Sequence, residues 1–95
     1  MGGKHAMNTQ FLLMAQYNGL AVIPLEVVCR DYFSHLKPAE LARKAARGEI
    51  PLPITMIDRS QKAARGVHIA DLAEWIDRRR EVARKEARAM APQQT

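Results

Sequence analysis

A helix, a turn, a second helix with a basic outer face, and then two runs of alternating apolar residues around a polar segment predict a mainly α domain with a small β-hairpin, a winged helix-turn-helix. Size is the third observation behind that expectation. Ninety-five residues, 47% apolar and 26% charged, suit a single globular domain and leave little room for a multi-step enzyme. The net charge of +5 points to an anionic partner. The lone cysteine, Cys29, cannot form an internal disulfide, which fits a reducing, cytoplasmic setting. No apolar run nears the roughly 18 residues of a membrane span, so no membrane role is expected.

Met1 to Ala6 precede a second methionine, Met7, without the apolar stretch of a signal peptide, and read as an expression scar. The domain is expected over residues 7–90, with a frayed tail at 91–95. Asn8 is expected to cap a helix from Thr9 to about Tyr17. Phe11 to Ala15 are apolar all round, which predicts burial. Asn18-Gly19 tolerate positive φ and end the segment, and Leu20 to Ile23 form a short apolar link.

Pro24 suits the first turn of a second helix whose Leu25, Val28, Cys29, Tyr32 and Phe33 fall on one stripe. Ser34 to Lys37 make a turn. Pro38 restarts a helix whose inner face is Leu41, Ala42, Ala45 and Ala46, and Gly48 closes it. Pro51 and Pro53 force Glu49 to Pro53 into an extended course. Ile54 and Met56, then Val67 and Ile69, alternate as the strands of a hairpin around Asp58 to Gly66, the expected wing. A long helix from Asp71 to about Met90 turns Leu72, Trp75 and Ile76 inward and is supported by Glu74–Arg78 and Glu81–Lys85 pairs.

The positive excess is localised. Between Lys37 and Gly66 the chain has Lys37, Arg43, Lys44, Arg47, Arg59, Lys62 and Arg65 against Glu40, Glu49 and Asp58, whereas the terminal helix is nearly balanced. A helix after a turn can lay its solvent face in a major groove while a hairpin reaches the flanking backbone or the minor groove. The recognition helix is expected at 38–47 and the basic wing at 58–66. Arg43 and Arg47 lie one turn apart and are candidates for bases or phosphates; Lys37, Lys44, Arg59, Ser60, Gln61, Lys62 and Arg65 are candidates for the backbone. The expected partner is double-stranded promoter DNA.

Met7-Asn8-Thr9-Gln10-Phe11-Leu12-Leu13-Met14-Ala15-Gln16-Tyr17, Ile23-Pro24-Leu25, Asp31-Tyr32-Phe33, Gly48-Glu49-Ile50-Pro51-Leu52-Pro53, Ser60-Gln61-Lys62-Ala63-Ala64-Arg65-Gly66-Val67-His68 and Asp71-Leu72-Ala73 together resemble the pyocin activator protein (PrtN) family. The resemblance spans Met7 to about Arg80. It implies a bacterial, nucleoid-associated transcription activator of genes for pyocins, the phage-tail-like bacteriocins. The architecture is also similar to small winged-helix excisionases and AlpA-type regulators. Two other readings stay open: an excisionase-like architectural DNA-binding factor and a protein-interaction module.

Cys29 sits on the apolar stripe of the second helix, where packing is the expected role. His35 and His68 have no companions at ligand spacing, so no metal is expected. The chain has no phosphate loop, no nucleophile elbow and no paired acid and base; neither an enzyme nor a cofactor is expected. Tyr32, Phe33 and Trp75 are assigned to the interior. The apolar block from Phe11 to Ala15 favours a homodimer, with the terminal helix as the second candidate surface or a contact for RNA polymerase.

Overall fold

Ile23, Leu25, Val28, Leu41, Val67 and Leu72 are sealed from solvent and mark the centre of the fold. Around them the computed structural model describes residues 3–59 and 64–92, in the order α1 (Gly3–Gln16), β1 (Val22–Pro24), α2 (Leu25–Tyr32), α3 (Pro38–Ala46), β2 (Thr55–Met56), β3 (Arg65–His68) and α4 (Ile69–Met90). The strands form an antiparallel sheet in the order β1-β3-β2. This is a mainly helical fold with a small sheet, compatible with a winged helix.

The sheet has one strand more than the sequence suggests. The expected link from Leu20 to Ile23 supplies β1, in which Ile23 opposes Val67 and Val22 opposes His68. Adjacent β-branched Val22 and Ile23 favour this extended course, and β1 lies at the sheet edge, where Pro24 can end the strand without a missing ladder donor. Gly66 permits the pairing: a Cβ there would stand 2.4 Å from the Ile23 carbonyl oxygen, so only glycine lets the two backbones approach. The hairpin itself forms as expected, with Thr55 opposite Gly66 and Met56 opposite Arg65. Ile69 is not a strand residue; it opens α4, while its N–H donates to the Ala21 carbonyl at 2.8 Å.

In α2, Leu25, Val28, Cys29 and the following Phe33 are buried and Tyr32 is half-buried, as the stripe predicts. Pro24 stands one position outside the first turn, as the N-cap. Burial pushes the Cys29 thiol pKa up, and Sγ donates to the Leu36 carbonyl at 2.8 Å, so this cysteine is a packing group. The Phe33 and Trp75 rings lie 4.9 Å apart, with Tyr32 edge-on to Trp75.

The expectations for α1 need two corrections. The helix begins at Gly3, so Asn8 is not its cap: nothing between Lys4 and Asn8 stops a helix, and an interior Asn is tolerated at small cost. Nor is the apolar block buried. Leu13 and Tyr17 face inward, but Phe11 is 70% and Leu12 68% exposed, and Met14 also faces outward. The reason is geometric: α1 packs chiefly on α4, and one neighbour covers one stripe of i, i+4 positions. Thr9 Oγ1 fastens the pair by donating to Asp77 Oδ1 at 2.6 Å. Asn18, with φ 55°, ends the helix in the left-handed region, and the Gly19 N–H returns to the Met14 carbonyl at 2.7 Å.

The terminal helix buries Leu72 and Ala73 and half-buries Trp75 and Ile76. From Arg78 to Met90 every residue is exposed. Glu74 pairs with Arg78 as expected, but Glu81 reaches Arg88 at 3.8 Å rather than Lys85. Gln93 to Thr95, in the expected frayed tail, lie outside the described residues, as do Met1 and Gly2. No helix among the described residues is long and apolar enough to cross a membrane.

Candidate nucleic-acid interface

Three local devices fix the ends of α3. Lys37, extended at φ −84° and ψ 155°, is the N-cap, and Pro38 fits the first helical position because its missing donor is not needed there. Glu40 reaches back to accept from the Lys37 N–H at 2.9 Å. At the other end Gly48, with φ +76°, lets its N–H bond to the Ala45 carbonyl while the Glu49 N–H bonds to that of Lys44. That is a Schellman termination, and a side chain at Gly48 would strain it. The helix is therefore a short rod of fixed length standing on α2.

Only Leu41 of the expected inner face is fully buried; Ala42 and Ala45 are half-buried and Ala46 is exposed, because α3 packs on α2 at one edge of the core. Lys37, Arg43 and Arg47 are exposed. Arg47 is the C-cap, but its helical dihedrals keep it in line one turn after Arg43. The helix dipole leaves partial negative charge at this end, where Arg43, Lys44 and Arg47 collect.

The structure adds an anion whose effect on this face the charge tally did not resolve. Glu49 Oε1 lies 3.3 Å from Lys44 Nζ, and its Oε2 lies 3.7 Å from Arg47 Nη1. One carboxylate thus faces two of the cations assigned to DNA. Its position directly after Gly48 was a usable signal, because the Schellman turn folds the following residue back over the last helical turn. Among the described residues, Lys37, Arg43, Arg59 and Arg65 form no ion pair.

On the hairpin, Arg59 is exposed and its N–H donates to Asp58 Oδ1 at 2.6 Å. Arg65 is exposed at the start of β3. Ser60, Gln61 and Lys62 lie outside the described residues.

The two stretches share a groove. A cavity of about 310 Å³ is walled by Ala42, Ala45 and Ala46 of α3, by Leu52 to Ile54, and by Met56 and Arg65 of the hairpin, so that among the described residues Arg65 is its single charged lining residue. A second cavity, of about 390 Å³, lies between the C-terminal end of α3, the Ile50–Pro53 segment and α4, and holds Asp71 and Glu74 beside Arg78 and Trp75. Carboxylates make the second groove poor ground for phosphate, whereas the first presents, among the described residues, apolar side chains and the Arg65 guanidinium.

His68 turns out to be a cap: its Nδ1 accepts from the Ala70 N–H at 3.0 Å and starts α4. Among the described residues no three His, Cys, Asp or Glu side chains gather as a metal site would require.

A family profile described as pyocin activator protein PrtN matches residues 9–83, most of the chain. The chain belongs to the pyocin activator family. The match runs from α1 through the hairpin and into α4, so it takes in all of the cations of α3 and the wing. No curated protein and no solved structure matches the chain.

Proposed function

We propose that the chain is a sequence-specific activator that binds double-stranded promoter DNA of pyocin genes, laying Pro38–Arg47 in the major groove and the 58–66 hairpin on the flanking backbone or minor groove. The observation that supports this reading best is the groove shared by α3 and Arg65, which has no carboxylate in its lining among the described residues. An α-helix fits a groove about 12 Å wide, and a hairpin beside it can reach the next phosphates. The family description supplies the activator role.

Within this reading the cations divide by their neighbours. Arg43, unpaired among the described residues, is the side chain best placed to read a base edge, because no internal ion pair must be broken first. Lys37, Arg59, Lys62 and Arg65 hold the phosphate backbone. Lys44 and Arg47 exchange Glu49 for phosphate on binding, so Glu49 weakens non-specific affinity while ordering both side chains in the free protein.

Fluorescence anisotropy with pyocin-promoter duplexes tests the arrangement. Arg43→Ala is expected to cost about 1–3 kcal/mol and to relax base preference, whereas Arg65→Ala weakens all sequences alike and lowers the salt slope by about one. With about six phosphate contacts, the slope of log affinity against log salt for the unaltered protein should be near −5. Glu49→Gln should tighten binding. Unchanged affinity in both arginine variants rules this geometry out. Transcription with purified polymerase then checks the activator role, since an architectural factor raises no transcript on its own.

A further inference from the structure

We propose that residues 78–90, the outer half of α4, form a second contact for duplex DNA, an arm that grips phosphates beyond the α3 and hairpin surface. The near balance of charge along α4 hides a division. Residues 71–77 hold Asp71, Glu74 and Asp77 and no cation, whereas residues 78–90 hold Arg78, Arg79, Arg80, Arg84, Lys85 and Arg88 against Glu81 and Glu86. Six cations against two anions leave +4 on this arm, in a chain whose net charge is +5.

Support of the helix does not account for this charge. Arg78 pairs with Glu74 and Arg88 with Glu81, but among the described residues Arg79, Arg80, Arg84 and Lys85 form no ion pair. Arg80, Arg84 and Arg88 fall at i, i+4 and i+8, one row along the helix, where like charges repel and weaken it. A polyanion laid along the row replaces that repulsion with attraction.

The composition of the arm selects phosphate over other anionic surfaces. Every residue from Arg78 to Met90 is exposed, and apart from alanines, Val82 and Met90 none is apolar. A protein interface draws its energy from a dry core of large anchors, and a helix lying on an anionic membrane needs an apolar face to bury; the arm has neither. A nucleic-acid backbone is held chiefly by cations, and five of the six here are arginines, whose planar guanidinium matches a pair of phosphate oxygens. The row from Arg80 to Arg88 spans about 12 Å, over which a duplex carries about seven negative charges. The root of the arm lies beside α3: Arg78 lines the same cavity as Ala45 and Gly48, at the end of that helix where Lys44 and Arg47 collect. The choice of duplex DNA as the partner rests on the function proposed above, but the arm does not depend on how α3 meets the bases.

Fluorescence anisotropy across a range of salt compares the full chain with its Arg80→Gln/Arg84→Gln/Arg88→Gln variant, on pyocin-promoter and scrambled duplexes of about 12 and about 30 base pairs. On the short promoter duplex the salt slope stays near −5; on the long one, which also reaches the arm, it should steepen by about three, and the variant should lose that increment. The variant should bind both long duplexes at least about tenfold more weakly while its preference for promoter over scrambled sequence is unchanged, because phosphate contacts carry no sequence. Helical circular dichroism should be retained, every replaced side chain being exposed, and Arg80→Lys/Arg84→Lys/Arg88→Lys should restore the slope. Contact itself is read with Ala87→Cys, next to the arginine row, carrying a thiol-directed photocrosslinker: it should crosslink to the long duplex, Cys29 being buried. A variant that binds like the unaltered protein, or a missing crosslink, overturns the arm and leaves the α3 and hairpin reading standing. Loss in the arm variant with unchanged binding by Arg43→Ala and Arg65→Ala overturns that reading instead and leaves the arm. If the full chain binds no duplex, both fall.

Discussion

α1 and α2 are both rich in apolar residues, yet α2 sinks one stripe into the core and α1 leaves most of its apolar block outside. In α2 the apolar residues recur with the helical period and alternate with Glu26, Arg30 and Asp31, so sequence alone tells which side is inward. In α1 five consecutive apolar residues cover the whole circumference, and with α4 as its chief neighbour the helix buries only Leu13, together with the following Tyr17. Periodicity specifies a buried face; apolar content specifies only that something must cover the remainder. Tyr17 joins the two helices, its hydroxyl donating at 2.6 Å to Asp31, which Arg30 also holds at 2.8 Å.

The strongest test of this contrast is truncation. Leu25→Ala in α2 and Leu13→Ala in α1 should each destabilise by about 2–5 kcal/mol in urea unfolding, whereas Leu12→Ala, one residue from Leu13, should stay within about 0.5 kcal/mol at concentrations where the protein is monomeric. A large loss from Leu12→Ala under those conditions would mean that α1 is packed on both sides within one chain.

Next comes the joint between the helices. Tyr17→Phe should cost about 1 kcal/mol, the net worth of one hydrogen bond. Its pH signature is sharper. Burial, aided by the hydrogen bond to Asp31, raises the Tyr17 phenol above its ordinary 10.0. A raised folded pKa gives stability that is complete below pH 10.0 and is lost as pH rises beyond it. Unfolding midpoints of the unaltered protein should therefore fall in alkali, and those of Tyr17→Phe should lose this limb. At the acid end, the Arg30 guanidinium and the Tyr17 hydroxyl hold the Asp31 carboxyl below its ordinary 3.8. That contribution is present above the ordinary value and disappears as pH falls through the depressed one.

The smallest effects concern helix starts. His68→Ala removes the acceptor for the Ala70 N–H and should cost about 1 kcal/mol, while Asn8→Ala, inside α1 rather than at its cap, should cost about nothing or stabilise slightly. Thermal melts of the two variants compare them directly.

Much of this architecture was legible because local chemistry and tertiary structure agree. Pro38 and Gly48 bracket α3 by fixed backbone needs, and the alternation around Asp58 to Gly66 finds β2 and β3. β1 was not legible as a strand: Val22-Ile23-Pro24 is too short to show alternation, and its partner lies far along the chain. Within the candidate interface, the positions of the cations could be read but not their neighbours. That Lys44 and Arg47 share Glu49 depends on side-chain directions set by the turn at Gly48.

One junction links the two ends of the molecule mechanically. β3 passes into α4 between His68 and Ile69 with no loop, and the His68 cap stiffens the joint. The hairpin and the 22-residue helix are therefore joined without a flexible linker, and the close approach of Gly66 to the Ile23 backbone fixes the strand end of that joint. At about 1.5 Å per residue the helix is about 33 Å long, so the same continuous backbone that builds the wing also carries the chain well clear of it.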